Sequence, residues 1–314
     1  MNQESDMGLT GNPLFRMGLV AAMAGSMIAQ QQDAAQPGVP VRIIVGVEGK
    51  KGASPPEIAP QDVMVFQKKQ RLKVMNWRPL RDDPAGLELW ILIDDGTDTS
   101  LGSQLDDLRT FIHEQPATSK IAIGYLRNGT VNTTQKPTTD HQAAAKSLRL
   151  PLGASGISAS PYLALIDLIR KWPADNQPRE ILMIGSGIDP YYGTGTQNPY
   201  LSRAIETAQR AGTVVHSIYF GSSGHFGHSS WRINWGQNYL AQLSDETGGE
   251  FYWQGFSNPV SFTPYLNDLS LHLSNQHLLT FLAPRPSKPS FEQIKVTTEV
   301  PQVTLVAPAR VYIK

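Results

Sequence analysis

Cysteine is absent from this chain of 314 residues. Disulfide bonds, thiolate nucleophiles and cysteine-ligated zinc or iron–sulfur clusters are therefore excluded. The chain also has no excess charge of either sign, because 27 lysines and arginines balance 27 aspartates and glutamates. Without a global basic field, nucleic acid is not an expected partner.

Long apolar runs are missing from the chain except near the N-terminus. Residues 17 to 29 have the length of a signal-peptide core and are too short to span a bilayer comfortably. We expect residues 1 to 29 to be a signal peptide, or alternatively a retained N-terminal anchor, and residues 30 to 40 to be a disordered linker. This predicts an exported protein, periplasmic, extracellular or envelope-anchored, with no membrane insertion beyond such an anchor.

The most informative segment runs from Leu87 to Ser100. Its apolar part, Leu89 to Ile93, has the length and β-branched content of a buried strand. Directly after it come three aspartates, two threonines and a serine, which offer oxygen ligands to a hard cation. The alternative is an Asp-rich turn that caps a helix, and this segment alone does not decide between the two.

From Leu87 onward the sequence alternates strands with amphipathic helices, which predicts an α/β fold with a doubly wound, mostly parallel sheet. Each of three helices is expected to start with a polar cap followed by proline. These pairs are Ser160-Pro161, Asn198-Pro199 and Thr263-Pro264. Segment 221 to 236, which contains Trp231 and Trp235, is predicted to be an ordered but irregular insertion.

Two regions of strand-like sequence flank the α/β part. Before it lie Val41 to Val47 and a predicted hairpin at 63 to 75, and after it lie strand candidates at 278 to 282, 291 to 300 and 303 to 312. Neither region has enough strands for its own sheet, so we expect them to pair with each other. The prediction is an α/β domain at residues 84 to 276, inserted in a small β domain built from residues 41 to 80 and 277 to 314.

Four short motifs follow one another along the chain. They are Ile-Asp-Asp-Gly-Thr-Asp-Thr-Ser-Leu-Gly at 93 to 102, Asp-Glu-Thr-Gly-Gly at 245 to 249, Asn-Gln-His-Leu-Leu at 275 to 279 and Phe-Glu-Gln-Ile-Lys-Val at 291 to 296. In this order they resemble a von Willebrand factor A (VWFA) domain, and in particular the bacterial VWFA-related family, known mainly from acidobacteria. The resemblance covers about residues 41 to 313 and implies a Rossmann-like sheet.

The resemblance implies a metal-ion-dependent adhesion site after the first strand. In that family an Asp-x-Ser-x-Ser motif holds a divalent cation, usually Mg²⁺, together with a threonine from a second loop and an aspartate from a third. Here the implied first-loop ligands are Asp95, Thr97 and Thr99. A start at Asp94 is the alternate, although it would place Gly96 and Asp98 at the hydroxyl positions.

The two other loops supply weaker matches. The second loop, 153 to 160, implies Ser158 as a ligand, with Ser155 and Ser160 as alternates. The third loop has Ser186 where the family has aspartate, and Asp189 is the alternate. Because a hydroxyl replaces a carboxylate, binding of Mg²⁺, or of Ca²⁺ or Mn²⁺, should be weakened. The sequence therefore predicts a degenerate cation site that is either weak or vacant.

The functional expectation is a secreted or envelope-associated binding protein of the adhesion type, whose partner is a protein ligand. The alternative is a metal-free interaction or scaffolding module that binds through the aromatic residues of segment 221 to 236. The sequence offers no group of nucleophile, base and orienting residue, so no enzymatic activity is expected.

Overall fold

The structure is a computed structural model that describes residues 38–50, 54–153, 160–223 and 228–314. The predicted leader, most of the predicted linker, and the second-loop candidates Ser155 and Ser158 lie outside these ranges. Val39 and Pro40, which were assigned to the linker, instead begin the first strand. Within the described ranges, no helix has both the length and the apolar character needed to span a membrane.

The helices and strands follow one another in the order expected for an α/β chain with flanking β segments. The helices are α1 (Leu105–Glu114), α2 (His141–Lys146), α3 (Pro161–Lys171), α4 (Pro199–Ala211), α5 (Ser230–Thr247) and α6 (Thr263–Ser274). The strands are β1 (Val39–Gly49), β2 (Val63–Gln67), β3 (Gln70–Pro79), β4 (Glu88–Asp94), β5 (Lys120–Arg127), β6 (Thr130–Thr138), β7 (Arg179–Gly185), β8 (Val214–Tyr219), β9 (Phe251–Tyr252), β10 (Gln276–Ala283), β11 (Ser290–Thr298), β12 (Val303–Val306) and β13 (Arg310–Ile313).

A six-stranded sheet has the order β6-β5-β4-β7-β8-β9. Its strands are parallel except for the edge strand β6, which pairs antiparallel with β5. Counted along the chain, this order is 3-2-1-4-5-6, the doubly wound order in which ligands bind where the strand order reverses. The predicted doubly wound, mostly parallel sheet is confirmed.

Helices cover both faces of this sheet because β4 carries apolar side chains on both sides. Leu89 and Ile91 belong to a core shared with α1 and α6, whereas Trp90 and Leu92 belong to a core shared with α3, α4 and α5. Alternate residues of a strand point to opposite faces, so a continuous apolar run serves both layers. The first strand is thus central, and its C-terminal end opens between the layers.

A second, seven-stranded sheet has the order β12-β1-β10-β3-β2-β11-β13, and its pairings are antiparallel. Strands from both ends of the chain contribute to it, and β1 pairs with β10 from Val39 opposite Ala283 to Gly46 opposite Gln276. Ile44 and Leu278 of this sheet also pack into the core beneath β4. The domain boundaries near residues 84 and 277 stay a prediction.

Three elements differ from expectation. Segment 221 to 236 is not irregular throughout, because α5 begins at Ser230 behind a cap in which Ser229 Oγ accepts from the Arg232 N–H. The strand expected at 303 to 312 is two strands, β12 and β13, with Pro308 between them, where a missing N–H interrupts pairing. Helix α6 includes Thr263, which was expected to be its cap.

Candidate functional site

The candidate site lies at the C-terminal ends of β4 and β7, where the strand order of the six-stranded sheet reverses. Asp94 ends β4 beside Gly185, which ends β7. A Cβ atom on Gly185 would lie 2.8 Å from the Asp94 Cβ, so glycine leaves the room that this side chain needs. The carboxyl group of Asp94 is therefore held in the crevice between the two strands.

Asp94 makes no ion pair with any of the described residues. Its Oδ1 accepts a hydrogen bond of 2.8 Å from the Gly96 N–H. Burial raises the pKa of Asp94 from 3.8 to about 6, against the effect of that hydrogen bond and with a contribution from the negative charge of Asp95. An acid that is desolvated in a crevice is a candidate binding group.

Asp95 makes a two-pronged ion pair with Arg149. The two nitrogen–oxygen distances are 2.7 Å and 2.9 Å, and the Asp95 side chain is 1% exposed. The guanidinium group also lies over the Tyr125 ring, 3.6 Å from its centroid. Because both carboxylate oxygens of Asp95 are occupied, the structure argues against Asp95 as the first cation ligand. The alternate start at Asp94 fits the crevice better.

The threonines of the motif have structural roles. Thr97 is fully buried, and its Oγ1 and backbone N–H donate to the Asp94 carbonyl at 2.7 Å and 3.0 Å. Thr99 is exposed and starts a 3₁₀ turn that Asp98 caps by accepting from the Ser100 N–H. Asp98 therefore has the capping role that the alternative interpretation gives to an aspartate of this segment.

Ser186, at the family's aspartate position, is 1% exposed and accepts from two donors. The Ser222 hydroxyl donates at 2.6 Å and the Ile188 N–H at 3.3 Å. The next residue, Gly187, has a positive φ of 67° and lies against α5: a Cβ there would come within 2.2 Å of the Gly236 carbonyl oxygen. The reverse contact, from a Cβ on Gly236 to the Ser186 carbonyl oxygen, is equally close at 2.2 Å.

Asp189, the alternate third-loop ligand, is fully buried and receives four hydrogen bonds. Its Oδ2 accepts from Ser160 Oγ at 2.7 Å and from Asn198 Nδ2 at 3.0 Å. Its Oδ1 accepts from the N–H groups of Tyr191 and Tyr192, both at 3.0 Å. Ser160 was expected to cap α3, but its hydroxyl makes no capping bond and serves Asp189 instead.

These contacts decide how well the edge fits a divalent cation. Such an ion needs several oxygens around one point, and carboxylates contribute most of the affinity. Asp95 is neutralised by Arg149 and Asp189 is saturated with donors, so neither is free to bind a cation beside Asp94. Ser158 lies outside the described residues. The described residues therefore do not fit a complete Mg²⁺ site.

Loops from three strands are tied together at this edge. The Ser223 N–H donates to the Gly96 carbonyl at 3.1 Å, and its hydroxyl donates to the Gly153 carbonyl. The Asp98 N–H donates to the Gly221 carbonyl at 3.0 Å. These bonds join the loop after β4 to Gly153 and to the described residues that follow β8.

Large aromatic side chains are exposed beside this edge. Tyr191, Tyr192 and Trp231 are 56%, 49% and 62% exposed, and we call these three residues the aromatic rim. The Trp231 indole N–H donates to Thr194 Oγ1 at 3.1 Å, and its ring packs edge-on against Trp235 at 5.9 Å. The rim is therefore held in place although it faces solvent.

Sequence reasoning did not identify Arg149 or the Asn198 bond to Asp189. Arg149 lies 54 positions from Asp95, so no local spacing relates the two residues. Asn198 was assigned its capping role correctly, since its Oδ1 accepts from the N–H groups of Tyr200 and Leu201. Its amide nitrogen also donates to Asp189, and a cap motif does not reveal this bond.

Proteins similar to this chain are found among solved structures. No protein-family model and no curated protein matches the chain. It is similar to the solved structure of a paralog of ArnB, VWA2 from Sulfolobus acidocaldarius, with 10% identity, a TM-score of 0.41, and coverage of 87% of this chain and 75% of that one. It is also similar to the SpRpn10 VWA domain, with 10% identity, a TM-score of 0.38, and coverage of 57% and 93%.

A third similar structure is an aerotolerance-related membrane protein from Bacteroides fragilis, with 13% identity, a TM-score of 0.44, and coverage of 60% of this chain and 98% of that one. These structures share at most 13% of their residues with this chain. With identities this low and TM-scores below 0.5, they carry no argument about function. The function has to be argued from the residues of this chain.

Proposed function

We propose that this chain is an exported, non-enzymatic binding protein that captures a protein partner at the C-terminal edge of its six-stranded sheet, without a cation. The observation that carries the proposal is the aromatic rim, three large exposed side chains on an edge whose loops are already bonded together. Preassembled aromatic surfaces are typical of protein interfaces because little conformational freedom is lost on binding.

Asp94 adds a charge preference to this surface. Its carboxyl group has no counter-ion among the described residues, and burial raises its pKa to about 6. A lysine or arginine of the partner would supply the missing positive charge and favour the ionised form. The proposed partner therefore presents a basic side chain next to an apolar or aromatic patch.

The metal-dependent form of this function is less well supported. It would require Asp95 or Asp189 to give up its present partners, and both carboxyl groups are at most 1% exposed. In this proposal the VWFA-like layer, at residues 84 to 276, is an insertion that carries the binding edge, and the seven-stranded sheet supports it from the N- and C-terminal segments.

Selection from a displayed peptide library on the immobilised chain tests the proposal. We expect enriched peptides to contain lysine or arginine, and to bind the Trp231→Ala variant at least about tenfold more weakly, because exposed tryptophans often dominate interface energies. Asp94→Asn should weaken binding of the same peptides. EDTA should have no effect, as measured by isothermal titration.

The matched control is Met75→Ala, which removes a similarly exposed apolar side chain, 52% exposed, from β3 of the other sheet. Its affinity should equal that of the wild type. Loss of binding in EDTA would instead support the cation-dependent adhesion site. Equal affinity of the wild type and Trp231→Ala would exclude the rim as the binding surface.

A further inference from the structure

A second group of ionisable side chains lies between the two sheets, away from the edge described above. It consists of Glu48 in β1, Glu250 just before β9, and His272 on α6. One potential ligand atom from each of the three lies within 4.8 Å of the others. The imidazole Nδ1 is 3.7 Å from Glu48 Oε1 and 3.7 Å from Glu250 Oε1. Two carboxylates thus converge on one imidazole.

The imidazole of His272 is only partly satisfied, although its side chain is only 4% exposed. Nε2 has no partner among the described residues, and 3.7 Å from Nδ1 to the carboxylates exceeds a hydrogen bond. The ring lies on Gly46, where a Cβ would come within 2.6 Å of His272 Cε1. Nε2 therefore lies on the Gly46 side of the ring, and Nδ1 is the nitrogen that faces the two carboxylates.

Glu250 is held in position by a second pair of buried residues. Its backbone N–H donates to His216 Nδ1 at 3.0 Å, and His216 Nε2 lies 2.8 Å from Glu180 Oε2. Because Nδ1 accepts, the ring proton is on Nε2 and is donated to Glu180. Both side chains are fully buried. Residues that support metal ligands commonly form such hydrogen-bonded outer shells.

We propose that Glu48, Glu250 and His272 bind one divalent metal ion, and that Zn²⁺ is the preferred ion. One imidazole and two carboxylates are ligands that zinc accepts, and no thiolate is required. Ligand atoms around tetrahedral zinc are about 3.3 Å apart, so the observed 3.7 Å needs a closure of a few tenths of an ångström. Glu48 and Glu250 are 41% and 29% exposed and can make this movement.

The remaining coordination position opens into solvent. A pocket of about 200 Å³ adjoins the cluster and is lined in part by Glu48, Asp268 and His272. It offers an entry path for the ion and space for a water molecule, or for Asp268, as a further ligand. Since the three ligands come from β1, the start of β9 and α6, the ion would join the seven-stranded sheet to the α/β layer.

Titration of the metal-free chain with Zn²⁺ in a calorimeter tests this site. We expect one saturable site in the wild type, weakened at least about tenfold in Glu48→Gln and in Glu250→Gln, because each substitution removes an anionic ligand at nearly constant shape. Both side chains are partly exposed, so the variants should fold, which circular dichroism checks. Co²⁺ provides a second probe, since its visible absorption reports nitrogen and oxygen ligands.

The matched controls are Glu299→Gln and His113→Asn, which change exposed residues far from the cluster in sequence. Both should bind Zn²⁺ as the wild type does, and Zn²⁺ should raise the melting temperature of the wild type but not of Glu250→Gln. The proposal is overturned by a wild type without saturable binding up to about 1 mM Zn²⁺. It is also overturned by unchanged binding in both cluster variants.

Discussion

The two ends of the parallel sheet satisfy their carboxyl groups differently. At the C-terminal ends, Asp95 is paired with Arg149 and Asp189 receives four hydrogen bonds. Towards the N-terminal ends, Glu250 and Glu48 face an imidazole at 3.7 Å without hydrogen-bonding it, and Glu180 Oε1 has no partner. Asp95 and Asp189 are thus satisfied by neighbouring side chains and N–H groups, whereas the cluster of Glu48, Glu250 and His272 is not fully satisfied.

This difference shows that the number of oxygen-bearing residues in a motif is a poor guide to whether it binds a cation. What matters is whether the side chains already have partners, because a carboxylate with a guanidinium or several donors must lose them before it can ligate. Three substitutions at the C-terminal edge test whether its acids are satisfied as described. They are given in order of decreasing effect.

The largest effect is expected for Arg149→Ala. It leaves Asp95, 1% exposed, as a buried charge without its counter-ion. We expect a loss of about 3 kcal/mol in the free energy of unfolding, at the lower end for buried pairs because Arg149 is 32% exposed. Urea denaturation measures it. Arg127→Ala, an exposed arginine of β5, is the control and should change stability by less than about 0.5 kcal/mol.

A smaller effect is expected for Asp189→Asn. Either orientation of the amide would present its NH₂ group to donors that now bind a carboxylate oxygen, so at least one pair of donors loses its acceptor. The expected loss is about 2 kcal/mol in the free energy of unfolding. The exposed Asp245→Asn, in α5, should be neutral. A neutral Asp189→Asn would show that the four bonds contribute little and that Asp189 is available to a ligand.

The smallest effect, and a gain, is expected for Asp94→Asn. Burial raises the folded-state pKa of Asp94 from 3.8 to about 6, so its protonation stabilises the fold below pH 3.8, and this contribution is lost as the pH rises through 6. The full shift corresponds to about 3 kcal/mol, and partial exposure of the side chain should reduce it to about 1.5 kcal/mol. Asparagine has no charge to desolvate and keeps the bond from Gly96.

The variant should therefore be more stable than the wild type at pH 8 and equally stable near pH 3.5. Urea denaturation across this pH range measures the difference, with the exposed Asp245→Asn as the control variant. A constant difference between wild type and Asp94→Asn at every pH would contradict the raised pKa. That result would mean that solvent or a counter-ion already offsets the free energy of burying the Asp94 carboxylate.

Local patterns were sufficient for most of the fold. The apolar run at Leu89 predicted the central strand, and Asn198-Pro199 predicted the start of α4, because both signals depend on neighbours in sequence. The edge strand β6 was not predicted, since most of its side chains are exposed or partly exposed and polar. The segment expected to be irregular ran to residue 236, past the start of α5, although Trp231, Trp235 and Tyr239 stand four residues apart, at helical spacing.

The site was predicted less well than the fold because its chemistry depends on contacts between distant residues. The sequence placed Asp94, Asp95, Thr97 and Ser186 at one edge of the sheet, and they do lie there. It gave no sign that Arg149 neutralises Asp95, or that Glu48, Glu250 and His272 meet. Those pairs are formed by the fold, so only coordinates reveal which acids are satisfied.

The close contact of Gly187 with Gly236 has a mechanical consequence. Backbone lies directly on backbone there, so no side chain stands between the loop after β7 and the helix α5 to absorb movement by changing rotamer. Trp231 is in the first turn of that same helix. A partner that tilts α5 through Trp231 would therefore also displace Ser186 and the crevice around Asp94, because the helix and the loop move together.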